Sequence, residues 1–114
     1  MPPTSSQPRT LDHPDRSEIR LEDVLHALAD PARLQVVCFL SGSGESSCSA
    51  IDLAVSKSTT THHFRVLREA GVIRQVYRGT AKMSSLRRED LDALFPGLLE
   101  TVIRGYDTQC ARRS

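Results

Sequence analysis

One short run of hydroxyl, imidazole and cationic side chains carries the clearest chemistry in this sequence. From Val55 to Ile73 the chain reads VSKSTTTHHFRVLREAGVI, with Phe64, Leu67 and Ala70 forming an apolar stripe at helical spacing. Hydroxyls, imidazoles and cations on the opposite face of such a helix can donate hydrogen bonds and positive charge to an acidic ligand. Helix-turn-helix proteins present the N-terminal residues of their second helix to DNA base edges in this way, so we predict a DNA-reading helix.

Positive charge is concentrated around this helix, although the whole chain has a net charge of only +1. The segment from Lys57 to Arg88 contains eight cations and one anion, a local charge of +7, and the remainder of the chain sums to −6. A basic segment between acidic ends is the pattern expected for phosphate contacts, whose strength falls with salt. A solvated charged surface is the alternative for the charge run alone, but the coincidence with the helix pattern favours DNA.

The side chains predicted to contact DNA divide into base readers and phosphate binders. Cations and hydroxyls of the helix can bond guanine edges, other bases or phosphates, and an imidazole can donate to a base or a phosphate. Two cations that flank a predicted hairpin turn suit phosphate or the minor groove. The predicted DNA-binding residues are Lys57, Ser58, Thr59, Thr61, His62, Arg65, Arg78 and Lys82.

The neighbouring imidazole, His63, is interpreted as a packed and hydrogen-bonded residue that orients the helix. A metal site formed by His62 and His63 is disfavoured, because adjacent side chains on a helix point about 100° apart.

Composition excludes several classes of function. A chain of 114 residues allows one domain with a modest core, which dimerisation would enlarge. It has neither an apolar run long enough for a membrane span nor a hydrophobic signal core, so we expect a cytoplasmic protein without a membrane partner. Three Cys without a signal peptide argue against a disulfide framework. The sequence lacks a Gly-rich phosphate loop, a nucleophile elbow and an HExxH motif, so we expect no enzyme.

The elements that position the reading helix follow from periodicity and capping signals. Residues 1–17 are rich in Pro, Ser and Thr and are predicted to form a disordered arm. Asp30 and Pro31 form an N-cap and first-turn signal, and Ser56 is a plausible N-cap for the reading helix. The predicted helices cover 17–29, 31–40, 48–53 and 57–70, with SGSGESS as a loop; strands VIRQVY and AKMSSL flank the turn at 78–80.

A long apolar stripe from Arg88 to Tyr106 completes the predicted domain, residues 18–106, before a tail at 107–114. The stripe is wider than a small core can use, and Pro96 and Gly97 inside it predict a kink or two shorter helices. We therefore expect the first and last helices to form a homodimer interface. The predicted fold is mainly α with a small β-hairpin.

Two segments together resemble the ArsR/SmtB family of winged-helix repressors. They are DPARLQVVCFL and SKSTTTHHFRVLREAGVI, followed by the basic hairpin, and the match covers roughly residues 19–103. The resemblance implies a winged helix-turn-helix homodimer that binds double-stranded DNA at an imperfect palindrome. It also implies repression that lasts until an inducer binds.

The signal that such a repressor would sense is less clear from the sequence. Compared with arsenic- and zinc-sensing relatives, both familiar metal sites are incomplete. A mixed site for nickel or zinc remains open, with candidate ligands Cys38, Cys48, Cys110 and His13. Cys38 also resembles one of two cysteines in persulfide- and redox-sensing members, with Cys110 as the second. Alternatively Cys38 is a buried small hydrophobe, and the repressor needs an accessory protein or no effector.

A winged-helix domain used only for protein contacts is the remaining alternative function. Such a domain would more often have an apolar patch where this chain places its basic segment.

Overall fold

The computed structural model describes residues 11–113, which form five α-helices and a three-stranded antiparallel sheet. The mainly helical fold with a small hairpin is thereby confirmed. The helices are α1 (Leu21–Leu28), α2 (Pro31–Ser43), α3 (Lys57–Glu69), α4 (Arg88–Leu94) and α5 (Leu98–Arg113). The strands are β1 (Ser46–Ser47), β2 (Ile73–Arg78) and β3 (Ala81–Leu86), in the spatial order β1-β3-β2.

Both predicted N-caps are present. The Asp30 carboxylate accepts hydrogen bonds from the backbone N–H groups of Ala32 and Arg33, and Pro31 occupies the first turn of α2. Burial alone would raise the pKa of the Asp30 carboxyl, but these backbone hydrogen bonds lower it. The Ser56 hydroxyl accepts from the backbone N–H of Thr59 and so begins α3 at Lys57.

Helix α3 ends where the backbone turns sharply into the sheet. Gly71 has φ +87°, and a Cβ atom at this position would lie 2.6 Å from Cγ1 of Ile19. Only glycine combines this left-handed conformation with so close an approach. The chain then enters β2, which pairs with β3 from Ile73 opposite Leu86 to Arg78 opposite Ala81.

The segment between α2 and α3 differs from its prediction. Part of the expected SGSGESS loop is strand β1, which pairs Ser46 with Ser84 and Ser47 with Met83. The short helix expected at 48–53 is a single 3-10 turn, Cys48–Ala50. Ile51 and Leu53 are buried beyond that turn, and extended backbone places them in the core without a further helical turn.

The C-terminal stripe divides into α4 and α5 at Pro96 and Gly97, which confirms the predicted interruption. Helix α5 continues through Arg113, whereas the sequence predicts a tail after Tyr106. Gln109 lines a cleft with Leu25 of α1, and Arg112 and Arg113 suit the negative end of the helix dipole. These contacts and charges favour helix in a segment that lacks an apolar pattern.

The N-terminal boundary also lies earlier than predicted. The helix expected at 17–29 is a 3-10 turn, Arg16–Glu18, with an Asp15–Glu18 capping box, followed by α1 from Leu21. His13 accepts a hydrogen bond through Nε2 from the backbone N–H of Gln75 at 2.9 Å, and Arg16 pairs with Asp90 at 2.7 Å. The last residues of the predicted arm therefore pack on the domain, and residues 1–10 lie outside the described part.

The core lies where α1, α2, α3 and α5 meet the sheet, so α3 is held from several sides. Among its fully buried side chains are Val24, Val36, Val37, Leu40, Leu67, Ile73 and Leu99. Within residues 11–113 no helix is long and apolar enough to cross a membrane.

Candidate nucleic-acid interface

Helix α3 divides into a buried face and an exposed polar face. Phe64 and Leu67 pack into the core, as the apolar stripe predicts. The exposed face carries five of the predicted DNA-binding residues: Lys57, Ser58, Thr61, His62 and Arg65. These side chains follow one another along the outer surface from the capped N-terminus, where the helix dipole also favours an anion.

The hydroxyl groups at the start of α3 are already partly used within the helix. Thr61 donates to the backbone carbonyl of Lys57 at 3.0 Å, which leaves the Thr61 oxygen as an acceptor for an external donor. Thr59 is half-buried, and its hydroxyl accepts from Ser56 at 2.9 Å. Thr59 is therefore part of the cap, and Ser58 is the more accessible hydroxyl.

Two of the three Lys and Arg residues of α3 are exposed. Within residues 11–113 no ion pair engages Lys57 or Arg65, and both side chains are exposed. A guanidinium presents a planar fork that matches a guanine edge or a phosphate, and an ammonium acts as a mobile point charge.

The cations of the hairpin are held by protein groups. Arg78 makes a two-bond ion pair with Glu45, at 2.6 Å from Nε to Oε1 and 3.0 Å from Nη2 to Oε2. This hydrogen bonding lowers the pKa of the Glu45 carboxyl and raises that of Arg78. Lys82 lies over the ring of Tyr77, with Nζ 5.8 Å from the ring centroid. Arg78 must leave Glu45 before it can bind a phosphate in the same geometry.

Several other cations of the basic segment serve the fold. Arg87 is buried and bonds Asp90 and the backbone carbonyl of Pro14, and Arg74 lies 4.0 Å from the same carboxylate. Arg16 and then Arg87 lower the pKa of Asp90. Arg68 and Arg88 bond Gln75 and Ser41. The sequence count of +7 therefore overstates the charge that faces outward.

His63 is a packed residue in the structure, as the sequence interpretation has it. Its Nδ1 lies 3.1 Å from Nη1 of Arg33, and both residues are buried. Arg33 is not among the predicted site residues, although an arginine about one turn before the buried Val36 and Val37 of α2 is a signal that the sequence contains. Gln75 and Glu45 were missed as well, since strand and loop patterns do not reveal such partners.

The four candidate metal ligands are separated into two places. Cys48 lies 3.7 Å from the side-chain amide of Gln75, whose backbone N–H donates to His13. The His13 lone pair at Nε2 is thus occupied by that bond, and burial lowers the pKa of His13, with further lowering by Arg68, Arg87 and Arg74. In the described part of the chain no group of three or more His, Cys, Asp or Glu is arranged to hold a metal ion.

Cys38 of α2 and Cys110 of α5 are near enough to interact electrostatically. Burial raises the pKa of the Cys38 thiol to about 11, and the nearby charges of Asp107 and Cys110 raise it further. Hydrogen bonding to Cys110 raises the pKa of the Tyr106 hydroxyl, and Cys38 raises it further by a smaller amount. All three cysteines of the chain are described, and none forms a disulfide.

Away from α3, α1 and α5 leave apolar groups uncovered. Leu21 and Leu25 are 44% and 46% exposed. Leu25 also lines an open cleft of about 300 Å³ with Val102 and Tyr106 of α5. Exposed leucines next to an apolar cleft are suited to a protein partner.

The chain is similar to known proteins in sequence and in fold. Residues 30–75 match the model of the family described as bacterial regulatory protein, arsR family. An uncharacterized HTH-type transcriptional regulator of Bacillus subtilis (strain 168), YceK, is 35% identical over 82 residues, which cover 69% of this chain and 82% of that protein. The crystal structure of an ArsR family transcriptional regulator gives a TM-score of 0.59 at 26% identity, over 71% of this chain and 84% of that one. That of a possible transcriptional regulator for arsenical resistance gives 0.58 at 28% identity, over 79% and 95%.

Proposed function

Because this chain belongs to the ArsR family of bacterial regulatory proteins, which are DNA-binding transcriptional regulators and not enzymes, we propose that it acts as a homodimeric repressor. Two copies of α3 enter successive major grooves of a palindromic operator, and an inducer releases the dimer. A protein with this role works where the DNA is, in the cytoplasm of a bacterium.

The exposed face of α3 is the observation that carries this proposal. Arg65 and Lys57 contact guanine edges or phosphates, and His62 donates to a base or a phosphate. Ser58 and Thr61 bond phosphates or bases, with Thr59 supporting the cap from which they project. At the hairpin, Lys82 contacts the phosphate backbone directly, and Arg78 does so after exchanging Glu45 for a phosphate.

The partner surface of the dimer is formed by α1 and α5. A second copy of this chain would cover the exposed Leu21 and Leu25 and the neighbouring cleft. A two-fold dimer uses the same patch on both copies, which suits a palindromic site.

Fluorescence anisotropy with DNA from upstream of the protein's own gene tests the proposal. Wild-type protein should prefer this DNA to random duplex, and its affinity should fall steeply with salt. The R65A/K57A variant should lose that preference while sedimenting as a dimer. The R20A/R104A variant, which removes two positive charges elsewhere, is the matched control and should retain it. Equal binding by R65A/K57A and R20A/R104A would contradict the assignment of α3 as the reading helix, and wild-type protein without DNA preference would favour the protein-contact alternative.

A thiol-responsive release is a second candidate, favoured by the proximity of Cys38 and Cys110. A peroxide would accept two electrons while the two thiols lose two protons and join as a disulfide, and the peroxide would be reduced to water. A persulfide in the same role would be reduced to a thiol and hydrogen sulfide. Exposed Cys110 is the sulfur that an oxidant reaches first, since Cys38 is half-buried and stays a thiol at neutral pH. Such a bond would tie α2 to α5 and displace the reading helix.

Mass spectrometry of peroxide-treated protein, with anisotropy on the same samples, tests this candidate. The expected result is a Cys38–Cys110 disulfide and release of DNA in wild type, with C38S and C110S both insensitive. C48S is the matched control and should respond as wild type does. Loss of DNA binding on oxidation of C38S or C110S would exclude this thiol pair.

A further inference from the structure

Arg33 is a buried cation that connects three helices. Its Nε donates to the backbone carbonyl of Ala27 at 2.7 Å, and its Nη2 donates to that of His26 at 3.3 Å. These carbonyls belong to the last turn of α1, and that of His26 also accepts the backbone N–H of Ala29 at 3.2 Å. Its Nη1 lies 3.1 Å from Nδ1 of His63 on α3. Arg33 and His63 are each only 8% exposed.

The direction of the Arg33–His63 hydrogen bond follows from donor inventory alone. Every polar hydrogen of a guanidinium donates, and the group has no acceptor. Nδ1 of His63 must therefore accept, which places the ring proton on Nε2 and makes the imidazole neutral. A proton added at Nδ1 would remove the acceptor and place two cations at bonding distance in a buried site.

The charged groups around His63 are unevenly placed. On α2, Arg33 bonds the ring directly, and the Asp30 carboxylate at the start of the same helix is near enough to interact with both Arg33 and His63. On α3, the His62 ring centroid is 5.9 Å away. Asp23 and His26 of α1 line a neighbouring cleft with Glu69 of α3. Oδ1 of Asp30 accepts both backbone N–H groups of its cap, and Arg33 is the charged group that lies at hydrogen-bond distance from the ring.

We propose that Arg33 and His63 are positioning residues for DNA reading, linking the end of α1 to the reading helix only while His63 is neutral. Neither residue touches DNA in this role; the pair sets the orientation of the exposed face from Lys57 to Arg65. Helix α1 also carries part of the proposed dimer surface. The Arg33–His63 link therefore connects that surface to the DNA-binding face of α3. This inference rests on the proposed DNA binding by α3.

A pH profile separates this role from simple packing. A proton added at Nδ1 of His63 would break the link and weaken binding, whereas a proton added at His62 on the exposed face would favour a phosphate. The profile is therefore measured in an H62N background, comparing H62N with H62N/H63N from about pH 8 to about pH 5.5, a range that spans the ordinary titration of His. Asn can accept from Arg33 through its side-chain oxygen and cannot be protonated.

The expected result is that H62N loses about tenfold in operator affinity toward acid, while H62N/H63N changes by much less, since one protonation is coupled to the loss of one bond. At the upper pH, H63N should bind DNA nearly as wild type does, and H63L, which fills space without an acceptor, should bind about tenfold more weakly. Thermal unfolding and sedimentation of each variant show whether it is folded and dimeric.

Nitrogen-15 spectra of the histidine rings give a readout that does not depend on DNA. The His63 ring should show the Nε2–H tautomer in wild type. A ring protonated at Nδ1, parallel pH profiles of H62N and H62N/H63N, or equal affinities of H63L and H63N would each overturn the proposal. If the wild-type protein shows the Nε2–H tautomer but binds no operator DNA, the proposed function itself fails. The positioning role, which rests on that function, then fails with it.

Discussion

At the scale of single residues, the cations of the basic segment have two different tasks. Arg65 and Lys57 project outward from α3, while Arg87 is buried against Asp90 and Arg78 pairs with Glu45. A charge count along the sequence cannot distinguish these tasks, because the Glu45 partner of Arg78 lies 33 residues away and the burial of Arg87 is decided by the tertiary fold. The positive charge available to DNA is consequently smaller than the +7 counted from Lys57 to Arg88, and it depends on single anions such as Glu45.

Removing the Glu45 carboxylate should strengthen DNA binding. In E45Q the guanidinium of Arg78 loses its ionised partner and becomes available to a phosphate, so we expect severalfold higher affinity and a salt dependence steeper by about one counterion. Anisotropy titrations at several salt concentrations measure both quantities. E100Q, which removes the anion of an exposed pair with Arg104, is the control with the same charge change. Equal affinities of E45Q and E100Q would contradict the competition between Glu45 and phosphate.

Gly71 should be the least replaceable glycine of the described chain. In G71A the new methyl group meets Ile19 at 2.6 Å with φ at +87°, so the free energy of unfolding should fall by about 1–3 kcal/mol. Urea denaturation followed by circular dichroism measures this loss. G42A is the matched control, because a Cβ atom there has nothing within 4 Å and sits in helix α2, where Ala is favoured. A G71A protein as stable as G42A would disprove the steric argument.

At the scale of elements, the reading helix is stabilised by its cap, its buried stripe and polar bonds to neighbouring segments. Gln75 of β2 is 1% exposed and joins several of these segments. Its side-chain oxygen accepts from Arg68 of α3 at 2.8 Å, and its amide donates to Ser84 of β3 at 3.1 Å. Its backbone N–H donates to His13, so the N-terminal segment covers the outer edge of β2.

The attachment of the N-terminal segment should weaken in acid. Burial lowers the pKa of His13 below its ordinary value of 6.5, with further lowering by Arg68 and other cations. The neutral form is thus favoured in the folded state, so its contribution is complete above pH 6.5 and is lost as pH falls through the lowered pKa. Hydrogen exchange of the Gln75 amide, corrected for intrinsic pH effects, should show less protection in acid.

A substitution of another histidine provides the control for this exchange experiment. H13L should show low Gln75 protection at every pH, since it lacks the acceptor. H26L changes an exposed histidine on α1 and should retain the wild-type dependence. Unchanged Gln75 protection in H13L would mean that the His13 bond does not hold the segment.

At the scale of the whole molecule, two surfaces lie on different helices. The polar face of α3 suits DNA, and the apolar groups of α1 and α5 suit a second copy of the chain. Helix α1 packs on α3 and shares the apolar cleft with α5, so under the proposed function it is the element through which an event at the proposed dimer surface would reach DNA. The Arg33 bonds to the carbonyls of Ala27 and His26 are the polar part of that route.

Charged residues on the apolar surface should dissociate the proposed dimer. In L21E/L25E, two carboxylates would face the same patch of the partner, so the protein should sediment as a monomer and bind operator DNA at least tenfold more weakly, since it loses one of two half-sites. V55E is the control for oligomeric state, because Val55 is equally exposed but lies in the turn before α3. A dimeric L21E/L25E protein would place the interface elsewhere.

The sequence by itself determined the elements that depend on local signals. Periodicity of Phe64 and Leu67, the caps at Asp30 and Ser56, and the turn at Gly79 predicted α2, α3 and the hairpin, because capping and amphipathicity act within a few residues. The reading face followed as well, since residues opposite an apolar stripe must be exposed. The interruption at Pro96 was equally local.

The tertiary structure alone decided which polar groups meet. Strand β1 exists because β3 offers it a partner, and the arm's last residues are ordered because Gln75 and Asp90 receive His13 and Arg16. Likewise, Arg78 is paired because Glu45 approaches it, and His63 has its tautomer because Arg33 reaches it across the core. These contacts join residues far apart in the chain, so no local pattern encodes them, and they decide how much charge and which orientation the reading helix presents to DNA.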